Sequence, residues 1–352
     1  MFHLHAILLP FGFDAPLMLA ELAAVHSGEW IGHYKNDEYE GEWAVAALRS
    51  VGGHPAVVHS VPGARQEGFY KNTPLLERCP YLKSVIGGFG CAIGAARLMR
   101  LGPGARILEH CDDMGAGSSH AELRIHIPIQ TGPGVAFWVD HQLVPMQAGE
   151  TWYADFSMPH RVDNNSGADR VHLVLDCEPN EWLLARIRKG AELVRITSFL
   201  QNIGIECTTA TLPENTFLPG VDIHNGGILI DPERLQHPGD ILHEAGHIAV
   251  VPAQQRAALS GNVGEDDPNA MGNEIAAILW SYAALRAIGL PEETVFHEQG
   301  YKGQSDWHMN NFQTGNYIGL PLLEWMGLCA GPAKAEATGL APFPAMTAWL
   351  RA

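Results

Sequence analysis

Apolar and polar residues alternate in the stretch ELRIHIPI. Leu123 and every second residue after it as far as Ile129 are apolar, whereas Arg124 and His126 occupy the positions between them. Successive side chains of a β-strand point to opposite faces, so this pattern predicts a strand with one face in a core. The other face of the strand is expected to line something polar.

Similar short segments occur from about residue 105 to residue 177: ARILEH, ELRIHIPI, GVAFWVD, TWYADF and RVHLVLD. The turn-forming stretches TGPG, QAGE and DNNSGAD separate them, and this spacing predicts a β-sandwich or barrel. Before residue 100, short strands mix with helices. One helix is predicted to begin after Asp14, with Pro16 in its first turn, and another after Thr73, with Pro74 behind it.

The pattern becomes helical after Cys177. PNEWLLARIRKGAELVRITSFLQNIG is either one long helix or two helices broken near Gly190. GGILID predicts a strand, and GDILHEAGHIAVV and NEIAAILWSYAALRAIG predict helices. We therefore expect an α+β chain of two domains, residues 1–188 and residues 189–352.

Composition narrows the function classes. The 352 residues suit two domains, and the net charge of −17 without a Lys/Arg block argues against a nucleic-acid partner. The chain has no stretch of 18 uninterrupted apolar residues, so no membrane span is expected. The N-terminus lacks the basic region of a signal peptide. Six scattered cysteines without a CxxC pair indicate reduced thiols and a cytoplasmic location. The sequence does not indicate an oligomeric state.

A candidate iron site comes from LEHCDDMG. On an extended strand, His110 and Asp112 point to the same face. His160 follows in DFSMPHRVDN, and a hairpin through DNNSGAD would return Arg170 beside it. Two histidines and one carboxylate form the facial triad of non-heme Fe(II) oxygenases, which leaves positions for a keto acid and dioxygen. A planar arginine fork suits the far carboxylate of 2-oxoglutarate.

Residues from about 10 to 180 resemble the aspartyl/asparaginyl β-hydroxylase family, especially its small bacterial branch that includes proline cis-hydroxylases. The matching stretches are TPLLERCPY, RLMRLGPGARILEHCDD, LRIHIPIQT and MQAGETWYADFSMPHRVDNNSGADRVHLVLDC. The resemblance implies a double-stranded β-helix (jelly-roll) fold that uses Fe(II) and 2-oxoglutarate. It implies that His110, Asp112 and His160 bind the iron and that Arg170 binds the distal carboxylate of 2-oxoglutarate.

The same resemblance places Arg124 and His126 in an R-x-H strand that reaches the carboxylate of the cosubstrate or of the substrate. Arg124 is alternatively part of a buried ion pair. The acidic ligand Asp112 groups the chain with the bacterial members, and the expected substrate is an amino acid, free or in a peptide. Three further histidines are expected not to be ligands: His120, His141 and His172.

A second candidate site is the H-E-x-x-H motif in HEAGH. On a helix that Asp240 would cap, His243 and His247 lie one turn apart and can bind zinc together, while Glu244 can take a proton from zinc-bound water. Glu274 on the next helix is the expected third ligand. Other candidates for that position are Glu265, Asp266, Asp267, His297 and His308.

The H-E-x-x-H motif is followed by a predicted helix that contains Asn-Glu. Over about residues 215–290, this arrangement resembles that of the gluzincin peptidases. GGILID fits the edge strand with which such peptidases hold an extended peptide. The second domain is therefore predicted to be mostly α-helical, zincin-like and hydrolytic. The leading hypothesis is a 2-oxoglutarate-dependent dioxygenase with this second metal-binding domain. The alternative is a zinc metallopeptidase whose jelly-roll domain serves substrate binding only.

Overall fold

The structure is a computed structural model that describes residues 5–56, 70–112, 122–261, 263 and 270–352. Two compact units make up the chain, the first ending at Ala191 and the second beginning at Glu192. The boundary lies inside the helix Glu181–Ile203. This helix is continuous through Gly190, so the segment forms one long helix and not two.

Antiparallel strands and a few helices form the first unit. Its strands are β1 (Ala6–Gly12), β2 (Ile31–Gly32), β3 (Tyr39–Glu40), β4 (Trp43–Val51), β5 (Tyr70–Asn72), β6 (Ile93–Leu101), β7 (Arg106–His110), β8 (Leu123–Gln130), β9 (Val135–Val139), β10 (Gln142–Val144), β11 (Glu150–Ala154), β12 (His160–Asn164) and β13 (Arg170–Cys177). Its helices are α1 (Ala15–Glu21), α2 (Pro74–Glu77) and α3 (Pro80–Gly87), and α4 (Glu181–Ile203) follows β13.

The predicted helix starts are confirmed. The side chain of Asp14 accepts a hydrogen bond from the backbone N–H of Leu17 and caps α1. The side chain of Thr73 accepts one from Leu76 and caps α2. In both helices a proline occupies the first turn, where its missing N–H has no helical partner to lose.

The strands of the first unit form two sheets. One has the order β1-β11-β8-β13-β6-β4-β2, with β5 paired to β4, and the other has the order β10-β9-β12-β7-β3. Between β6 and β13 the chain passes back and forth between the sheets. Of the strands described there, only β9 and β10 are neighbours in sequence that share a sheet. The pairings in both sheets are antiparallel. This is the arrangement of a jelly roll, which confirms the first part of the predicted fold class.

Strand β8 separates the two kinds of environment that its alternation predicts. Ile125, Ile127 and Ile129 are buried in an apolar core to which α1, α2 and α3 also contribute. Arg124 and His126 are also buried, but on the opposite face of the strand. Their face is turned toward the other sheet, so the polar residues lie between the two sheets.

The connection DNNSGAD is not a hairpin. β12 pairs with β7 and β9, whereas β13 pairs with β6 and β8 in the other sheet. Buried Asn164 fixes the crossing, because its side-chain amide donates to the carbonyl groups of Leu101, Gly102 and Ala168 at 2.9–3.0 Å. The prediction that a hairpin places Arg170 beside His160 is therefore wrong, since the two residues begin strands of different sheets.

The second unit combines a small sheet with helices. Its elements are β14 (Cys207–Thr209), β15 (Val221–His224), β16 (Gly227–Ile230), α5 (Gly239–Val250), α6 (Ala253–Arg256), α7 (Ala270–Ile288), α8 (Ser305–Gln313), α9 (Leu320–Trp325) and α10 (Pro332–Thr338). In the sheet, β16 lies between β14 and β15. The prediction that GGILID is an edge strand is wrong, because both sides of β16 are hydrogen-bonded to neighbours.

Helices α5 and α7 pack closely at Gly246. A Cβ atom at this position would lie 2.7 Å from the carbonyl oxygen of Ala277, so glycine is needed for the approach of the two helices. The helix α5 begins after Pro238, and Asp240 lies in its first turn. The prediction that Asp240 caps α5 is wrong, because its carboxylate instead pairs with His297 at 2.9 Å.

Two general properties concern the whole described chain. Among the helices of the described ranges, none combines the length and the apolar character that crossing a membrane requires. All six cysteines lie within the described ranges and are free thiols.

Candidate metal centres

The first cluster forms where β7 meets β12. His110 ends β7 and His160 begins β12, directly opposite it in the strand pairing, and their ring centroids lie 4.2 Å apart. Asp112 follows β7 and is fixed by a 2.8 Å hydrogen bond from its backbone N–H to the carbonyl of Phe156. The potential ligand atoms of His110, Asp112 and His160 all lie within 4.8 Å of one another. The structure thus brings together the three residues predicted to bind iron.

Local hydrogen bonds set the orientation of both imidazoles. Nδ1 of His110 lies 2.7 Å from the carbonyl oxygen of Leu108, and Nδ1 of His160 lies 3.0 Å from that of Met158. Because a carbonyl only accepts, each Nδ1 carries a proton, and each Nε2 is the ring nitrogen left for other contacts. Burial lowers the pKa of His160 to about 4, so this ring is neutral at pH 7, as a metal ligand must be.

An ion-pair network holds the carboxylate of the cluster. Arg124 donates to Asp112 and, through Nε at 2.8 Å, to Asp176, which is fully buried and also pairs with Arg97 at 2.5 Å. Burial acts to raise the pKa of Asp112, but the charges of Arg124, the two cluster histidines and Lys35 outweigh it and lower the pKa. Asp112 is therefore ionised. The contacts of Arg124 are those of the buried ion pair that the sequence left open, and its contact with a ligand carboxylate stays a prediction.

Arg170 is a buried cation without an acidic partner among the described residues. It is 2% exposed, its Nη2 lies 2.9 Å from Nδ1 of His172, and its guanidinium carbon lies 5.4 Å from the ring centre of Phe137. Its Nε is buried and makes no hydrogen bond. Burial lowers the pKa of Arg170 to about 9. A buried charge without a counter-ion is costly, so this environment favours an anionic ligand.

His126 connects Arg170 with the metal cluster. Its Nδ1 lies 3.3 Å from Nδ1 of His172, and its Nε2 is buried without a hydrogen-bond partner. Its ring stacks on Phe156 at 4.9 Å, and Phe156 in turn packs edge-on against His160 at 4.7 Å. Contacts therefore run from Arg170 through His172, His126 and Phe156 to the cluster. The unpaired Nε2 of His126 is a second polar atom that a ligand in this region would satisfy.

These residues fit the predicted cofactors. Two imidazoles and one ionised carboxylate form a donor set that suits Fe(II). The unpaired Nε of Arg170 suits the carboxylate of 2-oxoglutarate. His141 is exposed and lies 3.3 Å from Glu109, away from the cluster. His120 lies outside the described residues.

Two charged residues beside this cluster were not identified from the sequence. Nζ of Lys35 lies 2.7 Å from Oε1 of Glu38, and Oε2 of Glu38 lies 3.5 Å from Nε2 of His110. Both residues precede β3, which pairs with β7 in the second sheet. KNDEYEGE has no spacing that distinguishes Glu38 from its acidic neighbours, and only the long-range strand pairing identifies it.

The second cluster joins α5 to α7. Nε2 of His247 lies 3.2 Å from Nε2 of His243 and 3.3 Å from Oε2 of Glu274, and Nε2 of His243 lies 3.7 Å from Oε1 of Glu274. All three ligand atoms lie within 4.8 Å of one another. Oη of Tyr301 lies 3.3 Å from Nδ1 of His243 and orients this ring. Tyr301 was not predicted, because it is distant from the motif in the sequence.

Burial makes Glu244 a weaker acid than an ordinary glutamate. It is 9% exposed, and burial raises its pKa to about 7. Burial also lowers the pKa of His243 to about 4. For His247, burial acts to lower the pKa, but the hydrogen bond to Glu274 raises it. A carboxyl group with a pKa near neutral, next to two imidazoles that could hold a metal, suits a general base.

A pocket opens beside His247 and Glu274, with a volume of about 320 Å³ and a lining that includes Val251, Val263 and Met271. The other candidates for the third ligand do not belong to this group of mutually close ligand atoms or cannot be placed. His297 pairs with Asp240, and the ring of His308 packs on Phe296 and Tyr301. The remaining three lie outside the described residues: Glu265, Asp266 and Asp267.

The first unit has relatives of known description. Residues 14–179 match the family model described as aspartyl/asparaginyl beta-hydroxylase. This part of the chain is therefore similar to the aspartyl/asparaginyl β-hydroxylases, as its resemblance predicts. The L-proline cis-4-hydroxylase of Rhizobium meliloti (strain 1021) is 27% identical over 172 residues, which are 47% of this chain and 58% of the relative. The chain thus spans less than two thirds of that curated protein.

Among solved structures, the non-heme alpha ketoglutarate dependent carbocyclase SnoK from nogalamycin biosynthesis is 13% identical, with a TM-score of 0.32 over 46% of this chain and 74% of that one. An oxidoreductase of the 2OG-Fe(II) oxygenase family from Burkholderia pseudomallei is 14% identical, with a TM-score of 0.30 over 45% of this chain and 76% of that one. The jelly-roll assignment depends on the strand order and not on these two structures.

Proposed function

We propose that the first unit catalyses the Fe(II)- and 2-oxoglutarate-dependent hydroxylation of an amino acid, free or in a peptide. The convergence of His110, Asp112 and His160 between two sheets carries the proposal, and the unpaired buried charge of Arg170 supports it. The relative is named for hydroxylation of L-proline, which is an amino acid. In this proposal residues 1–188 act as the hydroxylase, and the free thiols suit a cytoplasmic location.

Each residue has a separate task. His110 and His160 would hold iron through Nε2, and Asp112 through a carboxylate oxygen. When bound, Fe(II) and 2-oxoglutarate would allow dioxygen to replace C–H by C–OH, with 2-oxoglutarate converted to succinate and carbon dioxide. Arg170 would bind the distal carboxylate of 2-oxoglutarate, and His126, in the R-x-H strand, would lie beside the cosubstrate.

Other groups support these residues. The carbonyls of Leu108 and Met158 hold the imidazole tautomers, and Arg124 fixes the direction of Asp112. Phe137 lies beside Arg170 and Phe156 lies beside His160, so both rings lie between Arg170 and the cluster. The proposed roles thus use both the ligand side chains and the groups that orient them.

Succinate formation from 2-oxoglutarate tests the proposal. The purified chain is incubated with Fe(II), 2-oxoglutarate and free amino acids or short peptides, and Asp112→Ala serves as the inactive variant. We expect a loss of at least about a hundredfold in Asp112→Ala, because a metal ligand is removed. Asp169→Ala, which alters a carboxylate that is 39% exposed, should keep full activity. Failure of the wild-type chain to bind iron or 2-oxoglutarate would refute the proposal.

For the second unit, residues 189–352, we propose that zinc is bound by His243, His247 and Glu274. Glu244 would then take a proton from zinc-bound water, which makes hydrolysis of a peptide bond the proposed reaction. The distances of 3.2–3.7 Å among the three ligand side chains support this proposal. The central position of β16 gives no support to peptide binding along GGILID.

Metal analysis combined with two activity assays separates this proposal from its alternative. In the alternative the chain is only a zinc peptidase, and its jelly-roll domain serves substrate binding. Zinc content is measured in the wild type, Glu274→Gln and Asp112→Ala, together with peptide hydrolysis and succinate formation. Zinc that depends on Glu274 supports the second site. Peptide hydrolysis without any 2-oxoglutarate turnover would favour the alternative.

A further inference from the structure

An oppositely charged pair lies beside the first metal cluster and has no role in the reaction as described so far. It consists of Lys35 and Glu38, which lie in the segment before β3. The backbone N–H of Leu108 donates to the carbonyl of Glu38 at 2.8 Å, and Tyr39 pairs with Ile107 of β7. The segment is therefore attached to the same strand that ends at His110.

The charges of this pair point at the metal ligands. Oε2 of Glu38 lies 3.5 Å from Nε2 of His110, and Nζ of Lys35 lies 4.0 Å from Oδ1 of Asp112. Oε1 of Glu38 accepts the 2.7 Å hydrogen bond from Lys35, whereas Oε2 is buried and has no hydrogen-bond partner. One carboxylate oxygen is thus left for another cation, directly beside the proposed iron site.

The partial burial of the pair makes such a cation favourable. The side chains of Lys35 and Glu38 are 33% and 22% exposed. Hydrogen bonds to charged groups are stronger than neutral ones, and they gain strength as water is excluded. Glu38 is not a member of the group of mutually close ligand atoms, which contains only His110, Asp112 and His160 here. The geometry therefore favours contact with a molecule beside the metal over coordination of the metal itself.

We propose that Lys35 and Glu38 are the specificity residues that select a free, zwitterionic amino acid as the substrate of the first unit. The α-ammonium group of the substrate would bind Glu38, and its α-carboxylate would bind Lys35. In an amino acid the groups that carry these two charges are bonded to the same carbon atom. This close spacing matches a cation and an anion held 2.7 Å apart. A residue inside a peptide has neither charge. This inference depends on the proposed hydroxylase function and narrows its substrate class.

The test compares free and blocked amino acids. Succinate formation is measured with the free amino acids, and the best of them is then compared with its N-acetyl and carboxamide derivatives. The wild type should lose at least about tenfold in kcat/KM when either charge is blocked. Glu38→Gln should raise the KM for the free amino acid about ten- to a hundredfold and no longer discriminate against the N-acetyl form. Lys35→Met should no longer discriminate against the carboxamide.

Control measurements identify the rival roles. Glu40→Gln alters an exposed neighbour that pairs with Arg106 at 2.8 Å, and it should leave the KM unchanged. Iron content and 2-oxoglutarate binding should be unchanged in Glu38→Gln and Lys35→Met. Loss of iron in Glu38→Gln would mean that Glu38 is a metal ligand and would overturn the inference. An unchanged KM in both variants would reduce the pair to a surface ion pair and would overturn it too.

The proposed function and this inference fail in different ways. A wild-type chain that binds iron and 2-oxoglutarate, yet turns over peptides and not free amino acids, would refute the inference and leave the hydroxylase function in place. A wild-type chain that binds neither would refute both.

Discussion

His110 and His160 face each other across neighbouring antiparallel strands, with their ring centroids 4.2 Å apart. Just beyond this pair the register shifts between His160 and Val162, so the pairing that aligns the two rings is local. A slip of one residue in a strand turns its side chains to the opposite face. The candidate iron site therefore depends on the register of β7 and β12 as much as on the identity of its ligands.

Replacing Arg170 with Met should weaken 2-oxoglutarate binding about ten- to a hundredfold, because a charged hydrogen-bonding group is lost. It should not lower the free energy of unfolding of the cofactor-free protein, because the cation that it removes has no counter-ion among the residues that the structure describes. The KM for 2-oxoglutarate and a denaturant titration measure the two effects. Arg161→Met is the control, since Arg161 pairs with Asp163 at 2.5 Å. Unchanged 2-oxoglutarate binding in Arg170→Met would contradict the role of this residue.

The ring of His33 makes the stability of the metal-free protein depend on pH. Burial lowers its pKa from 6.5 to about 4, and the ring stacks on Trp43 at 3.6 Å. Between these pKa values the unfolded chain binds a proton that the folded chain does not. The contribution of His33 is therefore complete above pH 6.5 and is lost as the pH falls toward 4.

The variant His33→Phe isolates this effect, because phenylalanine keeps a ring against Trp43 and cannot be protonated. Nδ1 of His33 is buried without a hydrogen-bond partner, so no bond is lost there. Between pH 7 and pH 4 the wild type should lose roughly 1–3 kcal/mol more than the variant, as measured by urea unfolding. Equal losses in both proteins would show that His33 does not titrate in this way.

In the second unit, Glu244→Gln should retain zinc and lose peptide hydrolysis by at least about a hundredfold, because it removes the general base and no ligand. Glu274→Gln should lose zinc as well as activity. Zinc content by elemental analysis and cleavage of a peptide mixture distinguish the two variants. Succinate formation by the first unit should be unaffected in both. Loss of zinc in Glu244→Gln would contradict the assigned roles.

Substitution of Gly246 tests the contact between α5 and α7. Gly246→Ala would place Cβ 2.7 Å from the carbonyl oxygen of Ala277, which forces the helices apart and moves Glu274 from the two histidines. We expect a loss of about 1–3 kcal/mol in stability and weaker zinc binding. Gly272→Ala on α7 is the matched control, because a Cβ there meets no atom within 4 Å. Equal melting temperatures and zinc content for the two variants would contradict the prediction.

Local patterns predicted the elements of this chain well. The alternation of Leu123–Ile129 assigned both faces of β8, and the caps at Asp14 and Thr73 marked two helix starts, because these signals depend on neighbours in sequence. The convergence of His110, Asp112 and His160 was reached through residue chemistry together with the family resemblance. It stays a prediction as far as metal binding is concerned.

The sequence predictions were wrong or incomplete where contacts between residues distant in the sequence decide the structure. Asp240 is within the first turn of α5 and pairs with His297, which no local capping rule indicates. β16 becomes a central strand because Cys207–Thr209 pairs with its second side. Glu38 acquires its position from the pairing of β3 with β7. In each case the deciding partner is distant in the sequence.

The ion-pair network beside the iron site has a thermodynamic consequence. Arg97, Arg124, Asp112 and Asp176 carry two positive and two negative charges, so the network is neutral before any ligand arrives. Arg170 already places one positive charge in this buried space, a divalent metal would raise the total to three, and a dicarboxylate would cancel two of them. Each ligand therefore lowers the electrostatic cost of the other, and reciprocity requires the same factor in both directions. Iron should bind more tightly when the keto acid is present, and neither ligand is expected to saturate the protein easily alone.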